Sequence, residues 1–245
     1  MALTRPRHWL RWLIGAVVVL AVLAAAGPFI YIHFFNGSTP SALTLSPSAS
    51  PSSASSTASA NTAVSGSVAG IWTAGSGSVV GYRVNEVLLG QNATAVGRTT
   101  SVTGHLTIQG TTATAASFSV PMDTIRSDKS QRDAQFDGRI MDVARYPTGT
   151  LTLTSPIDLA PLPAPGAIKS YTPHGTLTLH GTTRAVTFTL TAERGAARTG
   201  DAQIKLAGHI PVLFSDYNIQ NPSFAGFVTT QDHGLLEFLL VLSRT

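Results

Sequence analysis

No cysteine occurs among the 245 residues. That excludes disulfides, cysteine-ligated zinc, thiol catalysis and lipidation at a cysteine, so a folded part must be held together by its own core. Charge is scarce as well, at 11% of residues. The formal net charge of +4 does not survive division by region. Arg5, Arg7 and Arg11 all precede the first acid, Glu86, and without them 13 basic residues face 12 acidic ones. A nucleic-acid-binding domain carries its basic stripe within the folded part, so no nucleic acid partner is expected. The chain also lacks a His-Glu-x-x-His spacing, a Gly-x-Ser-x-Gly elbow and a glycine-rich nucleotide loop in a βαβ setting. His174 and His180 share a strand face by parity, yet lie about 20 Å apart on a straight strand, too far to clamp one ion. Neither a metal nor a cofactor is expected.

One long apolar run is present. From Trp12 to Ile32 there are 21 residues without a charge, and about 20 are needed to cross a bilayer as a helix. Three arginines precede it, and no Lys or Arg follows until Arg83. The positive-inside rule then puts the N-terminus in the cytoplasm and the rest outside. A cleaved signal peptide is the rival, because Ala24-Ala25-Ala26 resembles a small-residue cleavage site. The apolar run continues past it to Phe35, which favours an uncleaved signal-anchor. The expected organisation is a basic cytoplasmic tail at 1–11, a transmembrane helix at 12–35, a linker at 36–67 and one domain at 68–245. The linker is Ser, Thr, Ala, Gly and Pro with a few apolar residues and no charge. It cannot bury enough apolar surface to offset its ordering entropy and reads as a disordered stalk.

The domain alternates. In "AVTFTLTAE", Val186, Phe188 and Leu190 face one way and Thr187, Thr189 and Thr191 the other, the period of a half-buried strand. Residues 116–122, 151–155 and 201–210 repeat it. "HGLLEFLLVL" near the end is apolar on both faces, as suits a strand between a core and a lined cavity. "GHLTIQGTT" (104–112) and "GTLTLHGTT" (175–183) echo each other, each a strand entering a glycine turn. About eight to ten strands, with turns every 8 to 12 residues, predict an all-β sandwich or barrel.

"QRDAQFDGRIMDVARYP" (131–147) breaks the alternation. Read as helix, it puts Phe136, Ile140 and Val143 on one face. Asp128 with Arg132, Arg139 with Asp142 and Asp142 with Arg145 fall at spacings where opposite charges meet. Gly138 disfavours one continuous helix, so two short turns are expected. Carboxylates paired with arginine stay ionised and inert, whereas catalytic ones need burial or a like-charged neighbour. A structural cap is the favoured reading. The enzyme alternative is a hydrolase using Asp133, Asp137 and Asp142; a surface interaction domain without a ligand is the third.

At these residues the chain resembles the YceI-like family. Arg132 and Asp133 match its Arg-Asp pair, Ile140, Met141, Asp142 and Val143 its Phe-Phe-Asp-Val type run, and Tyr146 and Pro147 its ending. "IWTAGSGSVVGYRV", "AVGRTTSVTGHLTI" and "HGTLTLHGTTRAVTFTL" match further hairpins. Ile140 and Met141 replace the two phenylalanines, and "LFSDYNI" lacks an arginine often found at its start. The resemblance implies an antiparallel lipocalin-like β-barrel with an apolar cavity. It also implies non-catalytic binding of a polyisoprenoid, an isoprenoid quinone or a similar lipid. Candidate lining residues are Phe118, Val120, Phe136, Met141, Phe188, Leu190, Phe214, Leu236, Phe238 and Leu240. Glu237 assigns the faces of its strand, since an unpaired buried carboxylate is costly: Leu236, Phe238, Leu240 and Leu242 inward, Leu235, Leu239 and Val241 outward. The expected partners are the lipid, the membrane through 12–35, and a second copy of the chain as a homodimer.

Overall fold

The computed structural model describes residues 12–20, 39–46, 67–88, 90–195, 202–223 and 228–245. Residues 12–20 are helical. Among the described residues no helix is long and apolar enough to cross a membrane. The expected transmembrane helix is therefore not found among them, and most of the 12–35 span, with most of the 36–67 linker, lies outside the described residues.

From residue 67 onward the chain is antiparallel sheet. The strands are β1 (Gly70–Ala74), β2 (Val79–Leu88), β3 (Gln91–Thr99), β4 (Thr103–Gln109), β5 (Thr112–Pro121), β6 (Arg126–Ser127), β7 (Thr148–Leu153), β8 (Ile157–Asp158), β9 (Ile168–Tyr171), β10 (His174–Leu179), β11 (Thr182–Thr187), β12 (Thr189–Arg194), β13 (Gln203–Leu213), β14 (Val228–Thr230) and β15 (His233–Arg244). The main path runs β11-β10-β7-β5-β4-β1-β15-β13-β12-β9. A second branch leaves β15 through β2 to β3 and β6, with β14 also on β2.

The closed barrel expected from the resemblance is corrected: the hydrogen-bonded sheet does not close. Its free ends are β11 and β9. The physical cause sits at Pro173 and Phe188. β9 runs into β10 past Pro173, and β11 runs into β12 past Phe188. Proline has no N–H to give the ladder, and only Phe188 N bonds across, to Pro173 O at 3.2 Å. Regular pairing resumes on each side of this break, with Leu190 opposite Tyr171 and His174 opposite Thr187.

Turn chemistry follows the sequence. The two echoing segments are the hairpins β4-β5 and β10-β11. In the second, His180 and Gly181 both take positive φ (47° and 71°), the two-residue turn whose twist matches the strands. β15 changes partner partway along, pairing with β2 from Leu235 to Leu239 and with β1 from Leu242 to Arg244. At the change, Ser78 stands in for a strand. Val241 N donates to Ser78 Oγ at 3.0 Å, and the same hydroxyl donates to Val241 O at 3.3 Å. Ser78 is 1% exposed.

The core is one cluster drawn from nearly every strand, including Trp72, Leu106, Ile108, Leu177, Leu206 and Leu242. Trp72 anchors the start of the domain, its Nε1 donating to Val68 O at 2.8 Å. The segment that broke the alternation is a short α-helix, Ser130–Gln135, followed by a π-helical turn, Phe136–Ile140. The two-turn expectation thus holds, and Phe136, Met141 and Val143 are buried beneath it.

Candidate functional site

Within the sheet lies a largely apolar cavity of about 310 Å³ that is partly open to solvent. A single water needs only about 10–15 Å³, and a cavity with apolar walls stays dry and takes apolar guests. Parity builds the wall. On β2, Val80, Tyr82 and Val84 point in while Gly81, Arg83 and Asn85 point out. Gly97, opposite Tyr82, has no side chain, and a Cβ there would overlap the Tyr82 ring.

All ten residues singled out in the sequence line this cavity: Phe118, Val120, Phe136, Met141, Phe188, Leu190, Phe214, Leu236, Phe238 and Leu240. Phe188 and Phe238 meet edge to face, with ring centroids 6.1 Å apart. The structure adds wall residues that were not singled out, among them Tyr82, Leu106, Leu177, Leu179, Ile204 and Leu206. Their signal was present, since "LTL" at 177–179 and "IKL" at 204–206 alternate.

Charged side chains mark the two ends. Glu86 lies three residues beyond Arg83, which is level with Leu235. Arg194 is level with Ile204 and so with Leu242. Strands rise ~3.3 Å per residue, which separates the two positions by about 30 Å along β15. The cavity is long and narrow. At the first end Arg132 Nη2 lies 3.2 Å from Glu86 Oε1, and Arg132 also pairs with Asp128. One guanidinium there serves two carboxylates. Tyr82 stands beside them, and burial pushes its hydroxyl well above the ordinary tyrosine range, the charge of Arg132 opposing this and Asp133, Glu86 and Asp128 adding to it. At the second end Arg194 Nε donates to Pro163 O at 2.7 Å. Lys169 Nζ donates to the carbonyls of Leu159, Ala160 and Pro161 at 3.2, 3.2 and 3.0 Å. These two cations hold the segment 159–163 across that end.

The aspartates of the broken stretch behave separately, and none lines the cavity. Asp133 Oδ1 accepts from Ser127 N at 2.8 Å and Ser127 Oγ at 2.7 Å. Asp137 lies 3.5 Å from Arg126. Of the expected helix-spaced pairs, Asp128 with Arg132 forms. The pairs of Asp142 with Arg139 and Arg145 are corrected. Arg139 instead bonds Gln135 Oε1 and Pro222 O, and Arg145 lies over the Tyr146 ring. The π turn changes the number of residues per turn, and Asp142 then leaves the helix with φ 42°. Spacings of three therefore no longer share a face.

The Glu237 carboxylate turns to the arginines of β2 and β3, although Glu237 and Leu235 of the expected outward set also border the cavity; it is buried and paired. Its Oε1 lies 2.6 Å from Arg83 Nε and its Oε2 3.4 Å from Arg98 Nη2.

Fold and cavity together define an antiparallel β-sheet domain built round an elongated, largely apolar cavity. The family model for the YceI-like domain matches residues 72–242, and the chain belongs to that family. No curated protein matches the sequence. Among solved structures, a polyisoprenoid-binding domain from Saccharophagus degradans, implicated in plant cell wall breakdown, superposes with a TM-score of 0.58 at 16% identity, covering 72% of this chain and 99% of its own. BcnA of Burkholderia cenocepacia follows at 0.48 and 19% identity, covering 65% and 95%. The YceI protein of Campylobacter jejuni is at 0.47 and 16%, covering 59% and 81%. At these identities the likeness to the first concerns the fold.

Proposed function

We propose that this protein is a non-catalytic carrier that holds one long apolar chain, of the polyisoprenoid or isoprenoid-quinone kind. The observation that carries the reading is the apolar cavity running between two polar ends. Burial is worth about 0.8 kcal/mol per CH₂, so a chain of about 20 carbons retains a net gain of several kcal/mol after its ordering is charged against it. The Saccharophagus domain, whose fold this chain shares, is described as polyisoprenoid-binding. The charges narrow the head group. At the Glu86 end two carboxylates share one guanidinium, which disfavours an anionic head there. At the other end Arg194 borders the cavity beside the buried carboxylate Glu193, and Lys169 is engaged by the carbonyls of 159–161, so the charges there favour an uncharged polar head as well. Against chemistry at 133–142 stand the separate engagement of Asp133 and Asp137 and the position of all three aspartates, Asp142 included, outside the cavity wall.

The same proposal places the domain outside the cytoplasmic membrane, tethered by residues 12–35 with the N-terminus in the cytoplasm. The supports are the uncharged apolar run and the three arginines before it.

The deciding experiment is mass spectrometry of an organic extract of the full chain, purified in detergent, beside the same extract of the Leu240→Trp variant, in which the cavity is filled. An isoprenoid carried by the parent chain and lost from the variant supports the proposal. Identical extracts, holding only bulk phospholipid and detergent, overturn it.

A further inference from the structure

Glu237 and Val96 present an anomaly. Val96 lies outside the cavity lining and the Glu237 carboxylate turns to Arg83 and Arg98, yet each residue is only 5% exposed. Val96 is opposite Arg83, and Gly81 is opposite both Arg98 and Glu237. Arg83, Val96, Arg98 and Glu237 thus form one patch on the outer face of β2, β3 and β15. Outer sheet faces meet water, and an exposed carboxylate needs no partner. This one has two arginines and almost no solvent.

The cover is the chain's own stalk. Arg83 Nη2 donates to Pro40 O at 2.7 Å, and Arg98 Nη2 donates to Ser41 O. Leu43 and Leu45 are half-buried while Thr44 and Ser46 are exposed, so the segment lays alternate side chains on a surface. We infer that the outer face of β2, β3 and β15 is a docking site for residues 39–46 of the same chain, clasped through the Arg83–Glu237–Arg98 cluster.

The physics suits an internal strap. Glu237 draws both guanidiniums together and leaves each an N–H pointing outward. Backbone carbonyls accept such bonds without any demand on side-chain identity, which fits a segment made of Ser, Thr, Ala, Leu and Pro. A contact this small is weak between separate molecules. Here residues 47–66 tie the segment to the domain, and a covalent tether of that length supplies an effective concentration in the millimolar range. Fully extended, those residues reach about 70 Å, so the link imposes no strain. The chain then contains a clasped strap in place of one free arm. One consequence rests on the membrane tether proposed above. Only five peptide steps separate Phe35 from Pro40, at most about 18 Å. The strap holds this face of the domain close against the bilayer, although the linker as a whole is long enough to let it drift far away.

The absence of native cysteine makes the test clean. Spin labels are attached to Thr44→Cys and, in a second sample, to Ser56→Cys, both in the full chain in detergent micelles. The expected result is a broadened, immobilised spectrum at 44 and a sharp, mobile one at 56. Adding Arg83→Ala and Arg98→Ala should convert the spectrum at 44 to the mobile form. Should that double variant misfold, Leu43→Ser with Leu45→Ser, which lie outside the domain, should mobilise position 44 equally. Equal mobility at 44 and 56 in the parent chain overturns the inference, as does an immobilised 44 that none of these substitutions releases. Immobilisation that disappears on dilution also overturns it, because the strap would then come from a second copy. Detergent micelles keep this outcome separate from the membrane tether, which is read by protease on intact cells.

Discussion

The Tyr82 ring lies stacked on Phe136, centroids 5.1 Å apart and planes 14° from parallel. One residue comes from a wall strand, the other from the π turn across the end of the cavity. The stack seats the turn on the wall and buries the tyrosine hydroxyl beside the Arg132–Glu86 pair. Burial raises the Tyr82 pKa above its ordinary 10.0. Below pH 10 the group is protonated in both folded and unfolded chains and has no effect. Above it the unfolded chain releases the proton while the folded one retains it, so stability falls as pH rises, by up to about 1.4 kcal/mol per pH unit for one such group. Tyr82→Phe keeps the stack and removes the hydroxyl. We expect a shallower loss of stability above pH 10, measured by urea denaturation across pH 8 to 11. An unchanged slope would contradict the burial of this hydroxyl.

The cavity tolerates added volume that a packed core does not. Leu240 is 4% exposed and lines the wall. Leu240→Trp should abolish retention of a fluorescent polyprenyl or quinone analogue while the melting temperature stays close to that of the parent. Overpacking a solid core costs typically about 1–3 kcal/mol. Unfolding without a selective loss of binding would make position 240 ordinary core.

Asp133 and Asp137 should part company. Asp133→Ala strips the acceptor from two donors of Ser127, and leaving such groups unsatisfied costs about 1–3 kcal/mol. Asp137→Asn, at the edge of the turn and outside the cavity wall, should leave ligand retention intact. Loss of a measurable hydrolytic activity in Asp137→Asn, at unchanged melting temperature, would favour the enzyme.

Protease added to intact cells should release a fragment beginning between residues 36 and 70. A mature chain starting near Gly27 would remove the anchor and leave export standing.

Much of this was legible in the residues because parity is a local property. Phe188 with Leu190, and Phe238 with Leu240, declare a shared face by spacing alone, and Glu237 told which face of β15 points out. What escaped depends on contacts that spacing does not encode. The open sheet turns on Pro173 meeting Phe188, which requires knowing which strands are neighbours. The arginine partners of Asp142 failed to form because a π turn shifts the register, and an α-helical count cannot anticipate that. The strap was invisible because its anchoring atoms are the carbonyls of Pro40 and Ser41, and every residue carries a carbonyl.

The placement of β15 also dictates an order of events. It follows every other described strand of the domain in the chain, yet it pairs with β1, β2 and β13. The hydroxyls of Thr73 and Thr245 lie 2.7 Å apart across 172 residues of sequence. Contacts of such separation slow folding, since the loop between them must close first. Until residue 244 has emerged, β1 and β2 lack their shared neighbour, and the apolar interior has no wall on that side. The domain completes itself only after β15 has been made, and a chain that stops before His233 loses the strand that joins its two branches.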